Sequence, residues 1–471
     1  MFSRGERFAV EIISTGFEGK SIAKHNDIVI FVDGGVEGDF AEIEITKTKK
    51  KYAEAKIIDL KNPSVNRIEP KCKHFGSCGG CKYQHVNYSE QLKFKRQHVL
   101  DSLERIGNLK NVQVFETLPS PEIYFYRNKM EFSFGLDRWL TAEEILTDIK
   151  RAGFYLGFHA PQRYNRIIDV VECHLESDLS NKILNFVKNY SQDNNLEIYN
   201  SETQTGYLRN LVIREGKNTG DVMVNLVTFL DLPDVMKKFC DALVKNFREV
   251  TTVINNINSR RAQIAVGDRE KIYFGSGTIS EKLNGINFQI SANSFFQTNT
   301  HQSEILFNVV KDFAELKKED VVYDLYCGTG SIALTIAKNV KEVIGIELIE
   351  SSIENAKKNQ QANGITNCTF IASDLKDLLT KNFSEIEHFG LPSCIILDPP
   401  RNGLHQKIIE EIGKFKTPKI IYVSCNPATL ARDLKLFAEF GYEITKVQPV
   451  DMFPHTYHIE SVAQLQLTFS N

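Results

Sequence analysis

The strongest constraint on the fold is an alternation of strand and helix patterns from about Ser291 to the end of the chain. Apolar runs of the strand type (VVYDLY, EVIGIE, TFIASD, CIILDPP, KIIYVSC) alternate with helical runs such as SIALTIAKNV and SIENAKKNQQANG. Strands that alternate with helices build parallel sheets, because each helix carries the chain back to the same edge. We therefore predict the α/β class, with a C-terminal doubly wound, Rossmann-like sheet over residues 291–471.

Two further domains are predicted before this sheet. Runs such as FAVEII, DIVIFV and AEIEIT, separated by glycine turns, predict a small β-barrel over residues 1–62. The proline-bearing stretch KNPSVNRIEPK marks a boundary near Asn62. Residues 63–290 mix strand and helix patterns, which predicts an α+β central domain. It includes a helix from about Ser89 to Ile106 that ends at Gly107.

Composition places the chain among folded proteins, since 42% of its residues are apolar and 25% are charged. The N-terminus MFSRGERFAV has no apolar signal-peptide core, and no run approaches the roughly 18–20 apolar residues that span a bilayer. We therefore expect a cytoplasmic protein with no membrane partner, and we expect a monomer. Nine cysteines in such a chain indicate reduced thiols, metal ligands or a nucleophile rather than disulfides.

Charge is unevenly placed along the chain. The net charge of −3 makes no general case for a nucleic-acid partner, yet thirteen Lys or Arg residues stand against four acids between Thr46 and Arg96. Such a surplus can neutralise phosphates, although a solvated lysine-rich surface has the same composition. The stretch supports a nucleic-acid partner only in combination with other features.

The motif DLYCGTGSIAL, from Asp324 to Leu334, predicts a cofactor site. Its glycines allow close approach of the backbone to a ligand at the junction of strand and helix. Glu347 ends the next predicted strand, where a carboxylate can bind ribose hydroxyls, and Asp374 ends the third, where it can bind an adenine amine. The third glycine of the dinucleotide fingerprint is missing, which disfavours NAD. Acids after successive strands favour S-adenosylmethionine.

Two further strand ends carry candidate chemistry. Asp398 begins the tetrapeptide DPPR, in which Arg401 replaces the aromatic residue found in methyltransferases that act on amines. Cys425 follows the fifth strand in YVSCNP, and Glu460 lies in HIESV. A thiolate could add to C6 of a uracil and activate C5, and a carboxylate could then remove the C5 proton. An inert buried cysteine and a surface carboxylate are the alternatives.

A metal site is predicted from Cys72, Cys78 and Cys81, which are spaced C-x5-C-x2-C with glycines between them. Cys173 in VVECHL is the best candidate for a fourth ligand. Four thiolates can hold zinc or a [4Fe–4S] cluster, and structural zinc usually takes paired C-x2-C units, so the spacing favours iron and sulfur. Radical methylation would require C-x3-C-x2-C, which the chain lacks.

Taken together, FFQTN, DLYCGTG, LDPPRNGLH, VSCNPATLARDL and FPHTYHIESV resemble the RNA uridine-5 methyltransferase family. The resemblance covers almost the whole chain. It is strongest to the 23S ribosomal RNA (uracil-5-)-methyltransferases that carry an N-terminal TRAM domain, an OB-like RNA-binding barrel, and a [4Fe–4S] cluster. The resemblance implies that Cys425 attacks C6 and Glu460 removes the C5 proton. It also implies S-adenosylmethionine contacts from Gln297, Tyr326, Glu347 and Asp398, with Ser331 and Asp374 as weaker assignments.

The resemblance implies 23S ribosomal RNA as the partner, with three alternatives. Members that methylate tRNA often have asparagine at the place of Ser331, and the bacterial tRNA enzymes lack both TRAM and the cluster. Archaeal tRNA enzymes can have both, so a tRNA T-loop uridine is the second candidate. A catalytically inactive RNA-binding assembly factor is the third, which the intact pair Cys425 and Glu460 disfavours. A redox sensor acting through the cluster is the fourth.

Overall fold

The structure is a computed structural model of the chain, and it describes residues 2–141, 144–261, 264–381 and 384–468. The chain divides into two compact units. The first unit combines residues 1–120, 400–403 and 423–465, and the second combines residues 121–399, 404–422 and 466–471. Each unit is therefore assembled from stretches that are far apart in sequence.

Strands and helices account for most of the described residues. The strands are β1 Arg7–Thr15, β2 Ser21–His25, β3 Ile28–Asp33, β4 Phe40–Thr48, β5 Tyr52–Asn62, β6 Gln113–Val114, β7 Lys129–Asp137, β8 Ala152–Ala160, β9 Arg163–Asp169, β10 Leu208–Glu215, β11 Val222–Thr228, β12 Val250–Ile257, β13 Arg269–Phe274, β14 Thr278–Leu283, β15 Ile286–Ser291, β16 Val321–Leu325, β17 Glu342–Glu347, β18 Cys368–Ala372, β19 Cys394–Leu397, β20 Lys419–Ser424, β21 Tyr442–Val450 and β22 Glu460–Leu467. The helices are α1 Tyr88–Arg105, α2 Asp178–Asp193, α3 Pro233–Asn246, α4 Thr300–Ala314, α5 Ser331–Ile336, α6 Glu350–Ala362, α7 Leu375–Lys381, α8 Ser384–Glu387, α9 Gln406–Lys414 and α10 Pro427–Glu439. Among the helices of the described residues, none is both long enough and apolar enough to span a bilayer.

A closed barrel forms the N-terminal part of the first unit. Its strands follow the order β1–β2–β3–β5–β4, and β4 pairs with β1 to complete the ring. Alternate side chains point inward and form a buried core that includes Val10, Ile12, Ile30 and Val32. Closure leaves no unpaired strand edge. The predicted small β-barrel is confirmed.

The remainder of the first unit packs two helices against its C-terminal strands. Strands β22, β21 and β6 are neighbours in that order, and β21 is parallel to β6. Helices α1 and α10 contact each other and both contact β21. At Gly107, just after α1, a Cβ atom would lie 3.0 Å from the Ala431 carbonyl oxygen of α10. Glycine therefore permits the close approach of the two helices, and α1 begins and ends within a residue of its predicted bounds.

The second unit contains a seven-stranded sheet in the order β13–β12–β11–β10–β7–β8–β9. All neighbouring pairs are antiparallel except β11 and β12. Helices α2 and α3 contact each other, and they contact β8 and β12 respectively. The apolar face of α2 buries Ile183, Leu184 and Val187. This arrangement confirms the α+β character predicted for the middle of the chain.

Five parallel strands of the second unit follow the order β18–β17–β16–β19–β20. The order reverses between β16 and β19, as it does in doubly wound sheets, whose ligands bind at the carboxyl ends of the strands beside the reversal. Strand β20 begins in the second unit and ends with Val423 and Ser424 in the first. The doubly wound sheet is confirmed, and its reversal point lies at the ends of β16, β17 and β19.

A buried ion pair anchors residues 451–456, the segment that precedes β22. The Nζ atom of Lys95 on α1 lies 2.5 Å from Oδ1 of Asp451, and both side chains are fully buried. Lys95 also donates to the Phe453 carbonyl oxygen at 2.9 Å, and the Tyr88 hydroxyl donates to Asp451 Oδ2 at 2.8 Å. Burial lowers the pKa of Lys95. Asp451 opposes that shift by favouring the charged ammonium group.

The same segment is also held at His455, by a second residue of α1 and by the chain that precedes this helix. The Gln91 side chain donates to His455 Nδ1 at 3.2 Å and accepts from the His455 backbone N–H at 3.0 Å. Burial lowers the pKa of His455 to about 4, so this imidazole is neutral at pH 7. The backbone N–H groups of Lys82 and Tyr83 donate to the His455 carbonyl oxygen at 2.8 and 2.9 Å. Helix α1 and the chain after Cys81 therefore both fix residues 451–456.

Lys95→Met is expected to reduce the free energy of unfolding by about 3–5 kcal/mol, because it leaves the Asp451 carboxylate buried without its cation. Lys93→Met is the matched control, since Lys93 on the same helix forms an exposed ion pair with Glu90, and exposed ion pairs contribute little to stability. The double variant Lys95→Met with Asp451→Leu should regain much of the loss. Urea unfolding measures all three. Equal losses for Lys93→Met and Lys95→Met would contradict the anchoring role.

Candidate functional site

The turn after β16 has the backbone geometry that its glycines predict. Tyr326, Gly328 and Gly330 have φ values of +68°, +54° and +79°, in the left-handed region that favours glycine. A Cβ atom at Gly330 would lie 2.9 Å from the Phe370 ring, so a larger residue there meets both steric and backbone strain. Ser331 begins α5 directly after this turn. At Gly328 an added Cβ atom would meet nothing within 4 Å, so the turn leaves open space beside this glycine at the end of β16.

Glu347 connects this turn to the end of β17. Its Oε2 accepts from the Gly328 backbone N–H at 3.2 Å, and its Oε1 accepts from the Ile349 N–H at 3.0 Å. The Tyr326 N–H donates to the Ile346 carbonyl oxygen at 2.9 Å. The carboxylate is half-buried. Glu347 therefore lies beside the glycine turn, as its place after the second strand predicts.

The second unit gathers three carboxyl groups at the reversal point. Burial raises the pKa of Asp398 to about 7. Burial, and then the neighbouring charges of Asp398 and Glu347, raise the pKa of Asp324 to about 7. Asp324 Oδ2 accepts from the Ala333 N–H at 3.0 Å, whereas the buried Oδ1 has no hydrogen-bond partner among the described residues. A cationic ligand at this position would relieve the repulsion between these groups.

Asp324 was missed by the sequence reasoning, although a signal was present. It is the single acid within the otherwise apolar strand VVYDL, and a charged residue in a buried strand usually needs a functional or structural partner. The sequence reasoning treated it only as the start of the glycine motif. Its burial and raised pKa add it to the candidate cofactor site.

The other predicted cofactor residues lie in the same unit with less distinctive surroundings. The backbone oxygen of Gln297 accepts from Asn128 Nδ2 at 2.9 Å. The Ser331 hydroxyl lies 3.4 Å from that of Thr329. Asp374 is exposed and caps the start of α7 by accepting from the Asp377 N–H at 3.0 Å.

Cys425 and Glu460 belong to the first unit. Cys425 is half-buried between the end of β20 and the start of α10. Glu460 begins β22, the hydrogen-bonded neighbour of β20 in the sheet, and is only 5% exposed. Asn426 caps α10 by accepting from the Ala428 N–H at 3.1 Å. The N-terminus of a helix favours negative charge, so its position next to Cys425 favours the thiolate.

The DPPR segment is tied to the same helix. The Arg401 carbonyl oxygen accepts from Asn426 Nδ2 and Thr429 Oγ1, both at 3.3 Å. The exposed Arg401 guanidinium donates to the His458 ring at 2.8 Å. Arg401 therefore links Asn426, the residue after Cys425, to His458, which lies two residues before Glu460.

The cysteine loop, residues 72–81, carries three of the predicted metal ligands in the first unit. Gln84 links two of them, because its Oε1 accepts from the Cys72 N–H at 3.0 Å and its Nε2 lies 3.2 Å from Cys81 Sγ. Burial raises the pKa of Cys78, and the nearby Cys72 thiol adds to the shift. Gly76 and Gly79 have φ values of +83° and +77°.

A metal-binding arrangement is not assembled within the described ranges, since no group of three or more His, Cys, Asp or Glu side chains there is placed to hold an ion. Cys173 lies in the second unit, where its N–H donates to Asn181 Oδ1 at 2.7 Å. The chemistry of four thiols fits an iron–sulfur cluster. The prediction of a cluster therefore depends on the chemistry of the four cysteine thiols and on their spacing in the sequence.

The basic stretch carries less available charge than its composition predicts. Of the thirteen Lys and Arg residues between Thr46 and Arg96, seven form ion pairs with acids: Lys47, Lys56, Lys61, Arg67, Lys93, Lys95 and Arg96. Lys49, Lys50 and Lys51 lie at the turn between β4 and β5 and form no ion pair with any described residue. That turn therefore presents three lysines whose charge the described acids do not neutralise.

Comparison with known proteins gives matches over nearly the whole chain. The family model tRNA (Uracil-5-)-methyltransferase matches residues 87–467, and the TRAM domain model matches residues 2–58. An uncharacterized RNA methyltransferase of Bacteroides thetaiotaomicron is 40% identical over 455 residues, which covers 96% of this chain and 99% of the relative. Another from Chlorobaculum tepidum is 42% identical over 431 residues, covering 90% and 89%.

One solved structure is similar over the whole length. It is that of Pyrococcus abyssi tRNA (uracil-54, C5)-methyltransferase in complex with S-adenosyl-L-homocysteine, with a TM-score of 0.72 and 29% identity. The match covers 97% of this chain and 100% of that one. The predicted combination of a TRAM barrel with a methyltransferase sheet is thereby confirmed.

The ligand-free protein is expected to lose stability as the pH rises from about 4 to about 7. Asp398 keeps its proton in the folded state up to a pKa of about 7, whereas an unfolded aspartate releases it near 3.9, so the unfolded state binds fewer protons across this interval. Asp324 has a similarly raised pKa of about 7, so Asp398→Asn removes one of two such titrations and should make the fall in stability with pH smaller. Thermal unfolding at pH 5 and pH 8 measures it.

Asp377→Asn is the control for this experiment. Asp377 is an exposed aspartate whose pKa is lowered by Lys381, so it cannot supply a loss of stability with rising pH. If Asp398→Asn and the unmodified protein show the same pH dependence, Asp398 is not the titrating group.

Proposed function

The chain belongs to the tRNA (Uracil-5-)-methyltransferase family, and from that premise we propose that it methylates carbon 5 of a uridine in 23S ribosomal RNA. It is an S-adenosylmethionine-dependent RNA (uracil-5-)-methyltransferase. The observation that carries the proposal is the pair of Cys425, after β20, and Glu460, at the start of the neighbouring strand β22. These are the nucleophile and the base that carbon methylation of a uracil requires.

The proposed reaction begins when the Cys425 thiolate adds to C6 of the uracil, and the electrons of the C5–C6 double bond move toward the C4 carbonyl. C5 then takes the methyl group that S-adenosylmethionine supplies, and the bond between that methyl group and the donor's sulfur breaks to leave S-adenosylhomocysteine. Glu460 accepts the remaining C5 proton, the double bond re-forms and the bond from Cys425 to C6 breaks. The helix N-terminus beside Cys425 favours its thiolate. Glu460 is only 5% exposed, so its carboxyl group is largely shielded from water.

We propose that Gln297, Tyr326, Ser331, Glu347, Asp374 and Asp398 contact S-adenosylmethionine, and we add Asp324. The sulfonium and ammonium groups of this molecule are positively charged. Asp324 and Asp398 both have pKa values raised to about 7, so a nearby cation would stabilise their ionised forms. The open turn at residues 326–330 supports close approach of the ligand to the backbone.

We propose 23S ribosomal RNA as the substrate from features of the family, and tRNA is the alternative substrate. Ser331 at the place where tRNA enzymes often carry asparagine, together with the TRAM barrel, favours ribosomal RNA. The similarity to the Pyrococcus abyssi enzyme, which acts on tRNA, favours a tRNA T-loop uridine. We place 23S ribosomal RNA first, and expect a flipped uridine to enter the site while the barrel binds phosphates. Mass mapping of 5-methyluridine in both RNAs from a deletion strain decides between them.

We also propose that Cys72, Cys78, Cys81 and Cys173 hold a [4Fe–4S] cluster. Support comes from the four-thiol donor set, from the positive φ values of Gly76 and Gly79 that curve the loop, and from the Gln84 contacts to Cys72 and Cys81. The cysteine loop continues into Lys82 and Tyr83, whose N–H groups bind the His455 carbonyl oxygen. We therefore assign the cluster a structural role and no step of the reaction.

Cys425→Ala should reduce methyl transfer to uridine by at least about a thousand-fold, because no other group in the proposal can add to C6. Glu460→Gln should reduce it by about 10²–10⁴-fold and should accumulate the covalent RNA adduct. RNA that contains 5-fluorouridine should trap the same adduct with the unmodified enzyme, since the fluorine cannot leave as a proton does. Denaturing gels and tritiated methyl transfer measure these outcomes.

Glu443→Gln is the matched control for Glu460→Gln, because Glu443 is an exposed carboxylate on β21, and it should retain full activity. Cys425→Ala enzyme that still methylates uridine would overturn the mechanism. Glu460→Gln enzyme that releases methylated RNA as fast as the unmodified enzyme, without accumulating the adduct, would overturn the assignment of the base.

Anaerobically purified protein should contain about four iron and four sulfide ions per chain, as a [4Fe–4S] cluster requires. Cys78→Ser should lose them, while Cys240→Ala, which changes a buried cysteine of α3 outside the proposed set, should keep them. Removal of iron by a chelator should lower the melting temperature if the cluster is structural. Bound zinc, or activity that follows oxidation state without loss of stability, would refute the proposal.

A further inference from the structure

A cavity beside the tip of the β7–β8 hairpin plays no part in the proposed reaction. It has a volume of about 380 Å³ and is lined by Trp139, Leu140, Ile145, Arg151, Arg163, Asn165 and Arg166. Its size falls within the range of about 300–1,000 Å³ that is usual for ligand sites. All seven residues belong to the second unit. The cavity is therefore a complete feature of one unit.

The backbone around the cavity is fixed. The Trp139 N–H donates to the Ile167 carbonyl oxygen at 2.7 Å, and the Arg138 N–H donates to the Arg151 carbonyl oxygen at 2.9 Å. Leu140, the next residue, is buried. The Trp139 side chain is 36% exposed even though both of its sequence neighbours are held in place. An indole ring kept at the surface by its backbone offers an apolar face to a ligand.

More arginines lie around the cavity than described acids that form ion pairs with them. Arg138 lies 2.5 Å from Glu144, and Arg166 lies 2.9 Å from Asp137. Arg151 and Arg163 are exposed and form no ion pair with any residue that the structure describes. Two guanidinium groups therefore remain available to an anion next to the indole ring.

An indole face beside two guanidinium groups that form no ion pair with the described acids matches the chemistry of a nucleotide. An inorganic anion would not need the indole, and an apolar ligand would not need the arginines. Single-stranded nucleic acids bind through bases stacked on aromatic rings and phosphates held by cations. We propose that this cavity binds an unpaired nucleotide of the RNA substrate, with the base on Trp139 and the adjacent phosphates on Arg151 and Arg163. The inference rests on the proposed function, because it concerns the same RNA.

The sequence supplies a direct reporter, since Trp139 is the only tryptophan in the chain. Titration of the full-length protein with an unlabelled single-stranded RNA of twelve nucleotides should quench its fluorescence to a saturating limit. A duplex of equal length should bind more weakly, because its bases are not available for stacking. Fluorescence that does not change at RNA concentrations that saturate binding by another method would overturn the proposal.

Variants test the two kinds of contact separately, with fluorescein-labelled RNA as the probe. Trp139→Leu should weaken binding by about five- to a hundred-fold, and Trp139→Phe should restore part of the loss because a ring remains. Arg151→Ala with Arg163→Ala should lower the slope of log K against log salt concentration by about 1.4, or about 0.7 for each phosphate contact. Circular dichroism and melting temperatures confirm that each variant is folded.

Arg248→Ala is the matched control. Arg248 is an exposed arginine between α3 and β12, near the opposite end of the seven-stranded sheet from β8 and β9, and its removal should leave the salt slope and methyl transfer as they are. An equal fall in slope for Arg248→Ala would show general electrostatic attraction and overturn the proposal.

Methyl transfer measured in the same preparation separates this inference from the proposed function. Transfer to uridine without quenching of Trp139 refutes the cavity site and leaves the enzyme assignment standing. Saturable quenching without transfer to any uridine-containing RNA refutes the proposed function and leaves an RNA-binding site.

Discussion

The first unit depends on the buried pair of Lys95 and Asp451. These residues are separated by most of the chain, and their contact fixes the segment that leads into Glu460. A buried ion pair contributes little net stability, since desolvation offsets the attraction, but the loss of one partner is costly. Its main effect is therefore specificity: residues 451–456 can adopt few other positions without leaving a charge buried and unpaired. A carboxylate proposed to remove one proton needs this kind of restriction.

The carboxyl groups at the sheet reversal lie near other acids, whereas Asp451 is paired with a cation. Burial raises the cost of ionising Asp324 and Asp398, and the charges of Asp398 and Glu347 add to that cost at Asp324. Such a group of acids is unfavourable in the ligand-free protein at neutral pH. A bound cation offsets this cost, so the folded chain is already arranged to favour a positively charged ligand before the ligand binds. The glycine turn beside it leaves the backbone open to the same ligand.

Much of the fold could be predicted because it depends on local periodicity. The barrel, the alternating β and α elements and the bounds of α1 follow from apolar spacing and turn residues. The order of strands in the sheet, the burial of Asp324 and the pairing of Lys95 with Asp451 depend on contacts between distant residues, which spacing does not encode. The resemblance supplied Cys425 and Glu460, and their adjacent strands agree with it. The domain bounds, the cofactor contacts and the four-cysteine site stay predictions.

The basic stretch shows why charge counted along a sequence differs from charge offered to a ligand. A lysine on a strand or helix is often opposite an acid, as Lys56 is to Glu44 and Arg67 is to Asp39, and such a pair presents little field to a phosphate. The arginines near Trp139 attract less notice in the sequence because acids lie among them, yet Arg151 and Arg163 form no ion pair with any described residue, since Glu144 and Asp137 pair with Arg138 and Arg166. The charge that a surface can offer to a phosphate is therefore what is left after internal pairing. Among the described residues, the three lysines at the β4–β5 turn and the two arginines beside Trp139 belong to this remaining charge.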